Sequence, residues 1–217
     1  MNESQAVSRA DWGPMHTLVL IGFTAVAAFI PAFRNWPLLW LVPLLGYAGL
    51  VYIVSPLRAT FRPWRFGRVS TSTVVATGII AAGSCAVLVA FHYLTDPDVS
   101  AYGSFLPVST LGGVLAAGVL FSVLNALFEE VIFRGVLFDS FESQWGVWVA
   151  VVATAFLFGY GHMHGYPPGT LGAILAGTFG LCLGWLRVVS GGLGLPVIAH
   201  IVADATIFTI VARSGVL

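Results

Sequence analysis

Seven apolar runs, each near the length of a membrane-spanning helix, follow one another along this chain with only short polar turns between them. About 20 apolar residues is what an α-helix needs to cross a bilayer core. In lipid the backbone must satisfy its own hydrogen bonds, so such runs fold as helices rather than open sheet. Membrane β-strands are shorter and alternate in polarity, which these runs do not. The runs cover about 16–33, 36–54, 71–94, 109–141, 145–161, 171–188 and 196–212. Charged residues make up 8% of the chain, against about 25% in a soluble domain. The expectation is an all-α polytopic membrane bundle of about seven transmembrane helices, one domain over residues 1–217. The loops leave no space for a soluble domain, and no internal repeat is visible.

The net charge is zero, which gives no reason to expect nucleic acid as a partner. All nine basic residues are Arg. Four of them, Arg58, Arg62, Arg65 and Arg68, share the 55–70 loop, which holds no acid. The 95–109 loop holds Asp96 and Asp98 and no base. The bias of basic residues to cytoplasmic loops puts the arginine loop, the N-terminus and the 139–144 and 190–195 turns in the cytoplasm. Arg134 and Arg187 agree with this; Arg34 and Arg213 fall on the other side. The arginine loop also suits contact with anionic lipid. The polar start of the chain, with Arg9 and Asp11, leads into an apolar run too long for a cleaved signal, so the first helix is expected to stay. Cys85 and Cys182 lie in apolar runs and read as small core residues. Gly180 and Gly184, and the small residues Gly112, Gly113, Ala116 and Ala117, predict close helix packing.

No charge occurs between Asp98 and Glu129, and then two carboxylates stand side by side, Glu129 and Glu130. One charge at mid-bilayer costs roughly 2.5–3.5 kcal/mol on insertion scales. Such residues face the bundle interior or a water-filled cavity, and they mark function. The other polar residues buried in the C-terminal half are Asn125, Arg134, His162, His164, Arg187, His200 and Asp204. Glu130 and Arg134 stand four apart, with Glu N-terminal, the favourable order for an ion pair. Glu129 lies about 100° around the helix and has no partner in its own turn; Asn125 is one turn below it. An unpaired carboxylate in a low-dielectric site is a candidate general base. His200 and Asp204 share a helix face at spacing four. His162 ends the fifth helix in Phe158-Gly-Tyr-Gly-His162. His164 reads as solvated, and His16 and His92 as residues at helix ends without partners or role.

Two chemistries fit Glu129, His162, His200 and Asp204. In one, needing no cofactor, Glu129 and His162 activate water while His200 and Asp204 hold an oxyanion or orient a carbonyl. In the other, the same four residues bind Zn²⁺, which activates the water. The His-Glu-x-x-His helix of the commonest zinc proteases is absent. A proton relay or transporter is a further use of intramembrane Glu and His, though no duplicated half supports it.

The ordered set Glu129-Glu130-Val-Ile-Phe-Arg134, Phe158-Gly-Tyr-Gly-His162 and His200-Ile-Val-Ala-Asp204 resembles the CAAX prenyl protease and bacteriocin-processing (CPBP, or Abi) family of intramembrane proteases. Gly135 after Arg134 and Pro196 before His200 fit the same pattern. The resemblance covers about 109–212; residues 1–108 add only hydrophobic helices of unassigned role. It implies an intramembrane endopeptidase acting on membrane-associated substrates, lipidated peptides or C-terminal sorting segments, in contact with membrane lipids. It implies Glu129 and His162 as the water-activating pair, and His200 with residue 204 as oxyanion support. Glu130 and Arg134 stay a structural pair, with Asn125 and Phe158 lining the site. The eukaryotic-type members carry Asn where this chain has Asp204. An ionised Asp would repel an oxyanion; it could instead hold a charged His200, carry a proton or bind a metal. A catalytically silent scaffold or immunity protein of the same fold is the alternative reading. The expected location is a bacterial-type inner membrane.

One geometric difficulty stands out. If the fourth and fifth helices turn near Glu142, Glu129 faces residues 155–157, and His162 lies about 7–10 Å further along. Helix tilt or a break near Gly135 would close the gap. The site is expected to open towards the cytoplasmic half.

Overall fold

A computed structural model describes residues 3–33, 35–62, 64–99 and 110–215, with side chains between Trp12 and Arg213. Arg34, residues 100–108 of the acidic loop and the expected helix start at Ser109 lie outside the described residues, as do the side chains of Arg9 and Asp11. The helices are α1 (Glu3–Phe29), α2 (Leu38–Ile53), α3 (Ser55–Thr60), α4 (Thr71–Thr95), α5 (Leu111–Glu130), α6 (Phe138–Trp145), α7 (Val147–Gly161), α8 (Gly169–Ser190) and α9 (Gly194–Gly215). No strand occurs among the described residues. Among the described residues, six helices are long and apolar enough to cross a membrane, and α2 is apolar but shorter. Their outer faces carry large exposed apolar side chains, such as Leu18, Ile79 and Phe156. A water-soluble monomer rarely tolerates apolar surface on this scale; in a bilayer it meets solvent of its own kind. The chain is an integral membrane protein of the expected helical type.

Between α5 and α6 the helix does not break at Gly135. It continues as a π-helical segment, Val131–Leu137, whose residues from Ile132 onward are buried. The Glu pair sits directly before it. π-Helical turns are rare and often mark functional sites. Gly135 has a specific use here: a Cβ would stand 2.8 Å from the indole nitrogen of Trp64, so only glycine lets that ring reach the π segment. The turn into α7 falls at Gly146, with φ of +85°, rather than near Glu142.

α7 and α8 form a tight antiparallel hairpin, and α9 lies against α4 and α5. The Gly180 and Gly184 expectation is met there. A Cβ on Gly180 would stand 3.1 Å from Ala155 Cα, and one on Gly184 would meet Val151 at 3.2 Å. The other small-residue face is not a tight contact: Gly112 and Ala116 are exposed. The close approach on α5 is instead at Gly118, which lies against Phe208.

The N-terminal helices do more than add hydrophobicity. α1 and α2 pack Leu20, Tyr47 and Val51 into one core with Ile132, Phe133, Val136 and Phe158. His16 is not at a helix end without partners; it lies inside α1, with Nδ1 2.8 Å from the Tyr47 hydroxyl and Nε2 3.0 Å from Thr60 Oγ1. His92 does lie in the last turn of α4. After α3 the described residues 61–62 and 64–70 are not helical, and Ser70 caps α4. This strap is fastened to the α8–α9 turn. Arg68 donates its N–H to the Ser190 carbonyl (2.7 Å), Leu193 donates to Arg65 (2.8 Å), and Gly194 donates to Phe66 (2.9 Å). Gly67 and Gly192 cross so closely that a Cβ on Gly192 would strike the Gly67 backbone.

Candidate active site

Seven of the residues singled out by the sequence meet at one place. α5 supplies Asn125, Glu129 and Glu130, and Arg134 follows in the π segment. His162 begins a short 3-10 turn at the end of α7, and α9 supplies His200 and Asp204. Asn125, Glu129, Glu130, Arg134, His200 and Asp204 are all buried; His162, with its side chain 21% exposed, is the most open member.

Glu130 and Arg134 pair as their spacing predicts, with Nη1 donating to Oε1 at 2.8 Å and both side chains fully buried. A buried pair is favourable to the extent that its remaining hydrogen-bonding capacity is also used. The bundle provides part of this, leaving Glu130 Oε2 and Arg134 Nε without a hydrogen-bond partner. Arg134 Nη2 donates to the Gly180 carbonyl at 3.1 Å, and a Cβ on Gly180 would stand 3.2 Å from that nitrogen. The guanidinium also lies over the Phe158 ring, 4.5 Å from its centre, which is cation–π range.

Glu130 has a second partner that spacing could not reveal. His200 Nδ1 lies 2.8 Å from the same Oε1. A carboxylate oxygen only accepts, so Nδ1–H donates and Nε2 points away from Glu130. His162 is fixed in a similar manner, because its Nδ1 donates to the Phe158 carbonyl at 2.7 Å. Both imidazoles therefore present Nε2 to Glu129. Its Oε2 is 3.8 Å from His162 Nε2 and 3.6 Å from His200 Nε2. The anticipated gap between Glu129 and His162 is closed without a helix break.

Glu129 Oε2 is buried and has no direct hydrogen-bond partner. Separations of 3.6–3.8 Å are too long for direct hydrogen bonds. They suit a small polar group shared between the carboxylate and the two rings. His200 Nε2 is 3.7 Å from Asp204 Oδ1 as well. The other oxygen, Asp204 Oδ2, accepts from Asn125 Nδ2 at 3.2 Å, and Asn125 Oδ1 accepts the Trp36 indole N–H at 3.2 Å. Asn125 thus turns to Asp204 rather than to Glu129, and Trp36 fixes which way its amide faces. Among the described residues no group of three or more His, Cys, Asp or Glu is arranged to hold a metal ion as it stands.

Phe158 is the apolar wedge of the site. Its ring centre is 4.3 Å from that of His162 and 5.7 Å from that of His200, edge-on to the latter. Phe179 closes the other side of His200 at 5.6 Å. Phe179 and Trp36 were missed from sequence, because an aromatic in an apolar run carries no signal of which neighbour it will meet. His164 is exposed, as expected. Arg187 stays at the edge, 3.4 Å from both Asp139 Oδ1 and the Arg134 carbonyl. His162, the site's most open residue, lies at the end of the α7–α8 hairpin away from the arginine strap.

Residues 111–206 match the model of a protein family described as Rce1-like, type II CAAX prenyl endopeptidase. That stretch contains every site residue except Trp36. An Escherichia coli protein described as an uncharacterized 24.3 kDa protein is 30% identical over 166 residues, covering 76% of this chain and 67% of its own. No solved structure matches the chain.

Proposed function

We propose, for a chain that belongs to the Rce1-like family of type II CAAX prenyl endopeptidases, that it is an intramembrane endopeptidase in which Glu129 and His162 activate the attacking water. The family places it among membrane proteases. The finer reading rests on one observation: Glu129 Oε2, buried and without a protein hydrogen bond, faces the Nε2 atoms of two imidazoles whose other nitrogens are tied down.

In this reading Glu129 takes a proton from water as its oxygen attacks the scissile carbonyl carbon. His162 Nε2 orients that water. The carbonyl oxygen gains the negative charge and is met by His200. As an imidazolium, His200 has carboxylates on both sides, Glu130 at Nδ1 and Asp204 and Glu129 at Nε2. That answers why Asp is tolerated at 204: it balances the cation beside the oxyanion, and its second oxygen is occupied by Asn125. When the C–N bond breaks, the proton held by Glu129 passes to the leaving amine. The products are a carboxylate and an amine. A base positioned in this manner contributes about 10²–10⁴-fold. The substrate is a membrane-associated peptide, lipidated or carrying a C-terminal sorting segment, and the arginine strap faces the cytoplasm of a bacterial-type membrane.

The test compares membrane peptides from cells carrying the parent protein, Glu129→Gln or His162→Ala. Loss of the same cleavage products in both variants, at unchanged protein level, is the expected result. If processing continues in both, the fold is a silent scaffold or immunity protein. Activity of the purified enzyme before and after chelation decides the Zn²⁺ alternative: loss on chelation and recovery with Zn²⁺ would replace the metal-free route.

A further inference from the structure

The arginine end of the bundle holds a second polar feature that the site above does not use. A cavity of about 490 Å³ opens between the strap, the start of α1 and the α6 region. Arg62 and Arg65 line it from the strap, Arg187 from α8 and Asp139 from α6, with Phe61 and Trp64 as its aromatic wall. Two of the three arginines already have carboxylates. Arg62 Nη1 is 2.6 Å from Glu142, and Arg187 is 3.4 Å from Asp139. Arg65 has no carboxylate partner among the described residues, although its backbone carbonyl is held by Leu193. The cavity thus presents one unmatched positive charge on a guanidinium whose backbone is pinned.

We infer that this cavity binds the phosphodiester of an anionic phospholipid. Charge and depth both lead there. In an anionic phospholipid the phosphodiester's single negative charge is not offset by a headgroup cation, as it is in phosphatidylcholine, and it matches the single uncompensated Arg65. A guanidinium fork fits phosphate oxygens in bidentate fashion. Phe66 and Val69, on either side of Gly67 and Arg68 in the strap, are 57% and 62% exposed. Large apolar side chains alternating with arginines belong at the lipid–water boundary, where headgroup phosphates are the abundant anion. The inference is independent of the peptidase reading, since no cavity residue belongs to the Glu129 cluster.

Arg68 supplies the control. It sits three residues from Arg65 in the same strap but does not line the cavity. The full-length protein in detergent is titrated with phosphatidylglycerol or phosphatidylcholine, and bound lipid is counted by native mass spectrometry. Parent protein should retain phosphatidylglycerol over phosphatidylcholine. Arg65→Gln should weaken phosphatidylglycerol binding about fivefold, the scale of one basic residue near a lipid surface, and Arg68→Gln should leave it unchanged. Arg65 is exposed, so folding is expected to survive, and the unfolding temperature verifies it. Equal losses in both variants would mean diffuse attraction by the loop and overturn the proposal. No preference between the two lipids in the parent would do the same, as would displacement of lipid by a peptide with a free C-terminal carboxylate but not by its amide.

Discussion

The molecule holds two collections of charge, and it treats them in opposite ways. Around Glu129 the charged atoms are sealed: the side chains of Glu130, Arg134, His200, Asp204 and Glu129 are 0–8% exposed, and each except Glu129 has a short hydrogen bond. At the arginine strap the pairs are loose. Arg62 and Glu142 are 56% and 32% exposed, and Arg65 has no carboxylate partner among the described residues. The contrast teaches what burial demands. A charged side chain inside the bundle needs a short hydrogen bond to a partner, so Glu129, the one without it, is informative; a charge at the rim can lean on water and salt.

Breaking the sealed side should cost most. Arg134→Ala removes the guanidinium from a buried ion pair and leaves Glu130 with His200 alone; breaking a buried pair typically costs about 3–5 kcal/mol, and a large fall in detergent unfolding temperature and in yield is expected. Normal stability with activity lost would move Arg134 from a structural to a catalytic role. Glu129→Gln should do the reverse, lowering turnover by about 10²–10⁴-fold while the unfolding temperature holds. Asn125→Ala comes next. It strips Asp204 of its one short hydrogen bond, and leaving a buried acceptor unpaired costs about 1–3 kcal/mol. Activity should fall with it, and Trp36→Phe should show a weaker form of the same loss, because it only frees the amide to turn. The loose side gives the smallest effect: Glu142→Gln, opening the rim pair with Arg62, should change stability by less than about 1 kcal/mol. A larger drop would mean that the two regions are less different than their exposure indicates.

Much of this was legible in the sequence, and the reason differs by feature. Helix number followed from run length alone, since lipid imposes one span length on every segment. Glu130 with Arg134 was readable because both lie within one turn of helix. The Glu129–His162–His200 meeting was readable only as a resemblance of ordered motifs. Its geometry depends on the second bond of Glu130 to His200, 70 positions away, and the π segment that follows the Glu pair is announced by no residue pattern. His16 was misjudged for a related reason. Its partners Tyr47 and Thr60 lie on α2 and α3, and a lone histidine in an apolar run gives no sign of them. The opening was expected on the arginine side, and α7 carries His162 to the end of the bundle away from the arginine strap.

The strap has a mechanical corollary. Three backbone hydrogen bonds staple the chain near residue 66 to the junction of α8 and α9, across more than 120 positions of sequence. Those two helices carry Gly180 and His200, the anchors of the buried Arg134 and of the site. Spreading α8 from α9 at that end would have to tear the staple first. The seam between α8 and α9 is therefore locked at that end, opposite the rim where His162 lies.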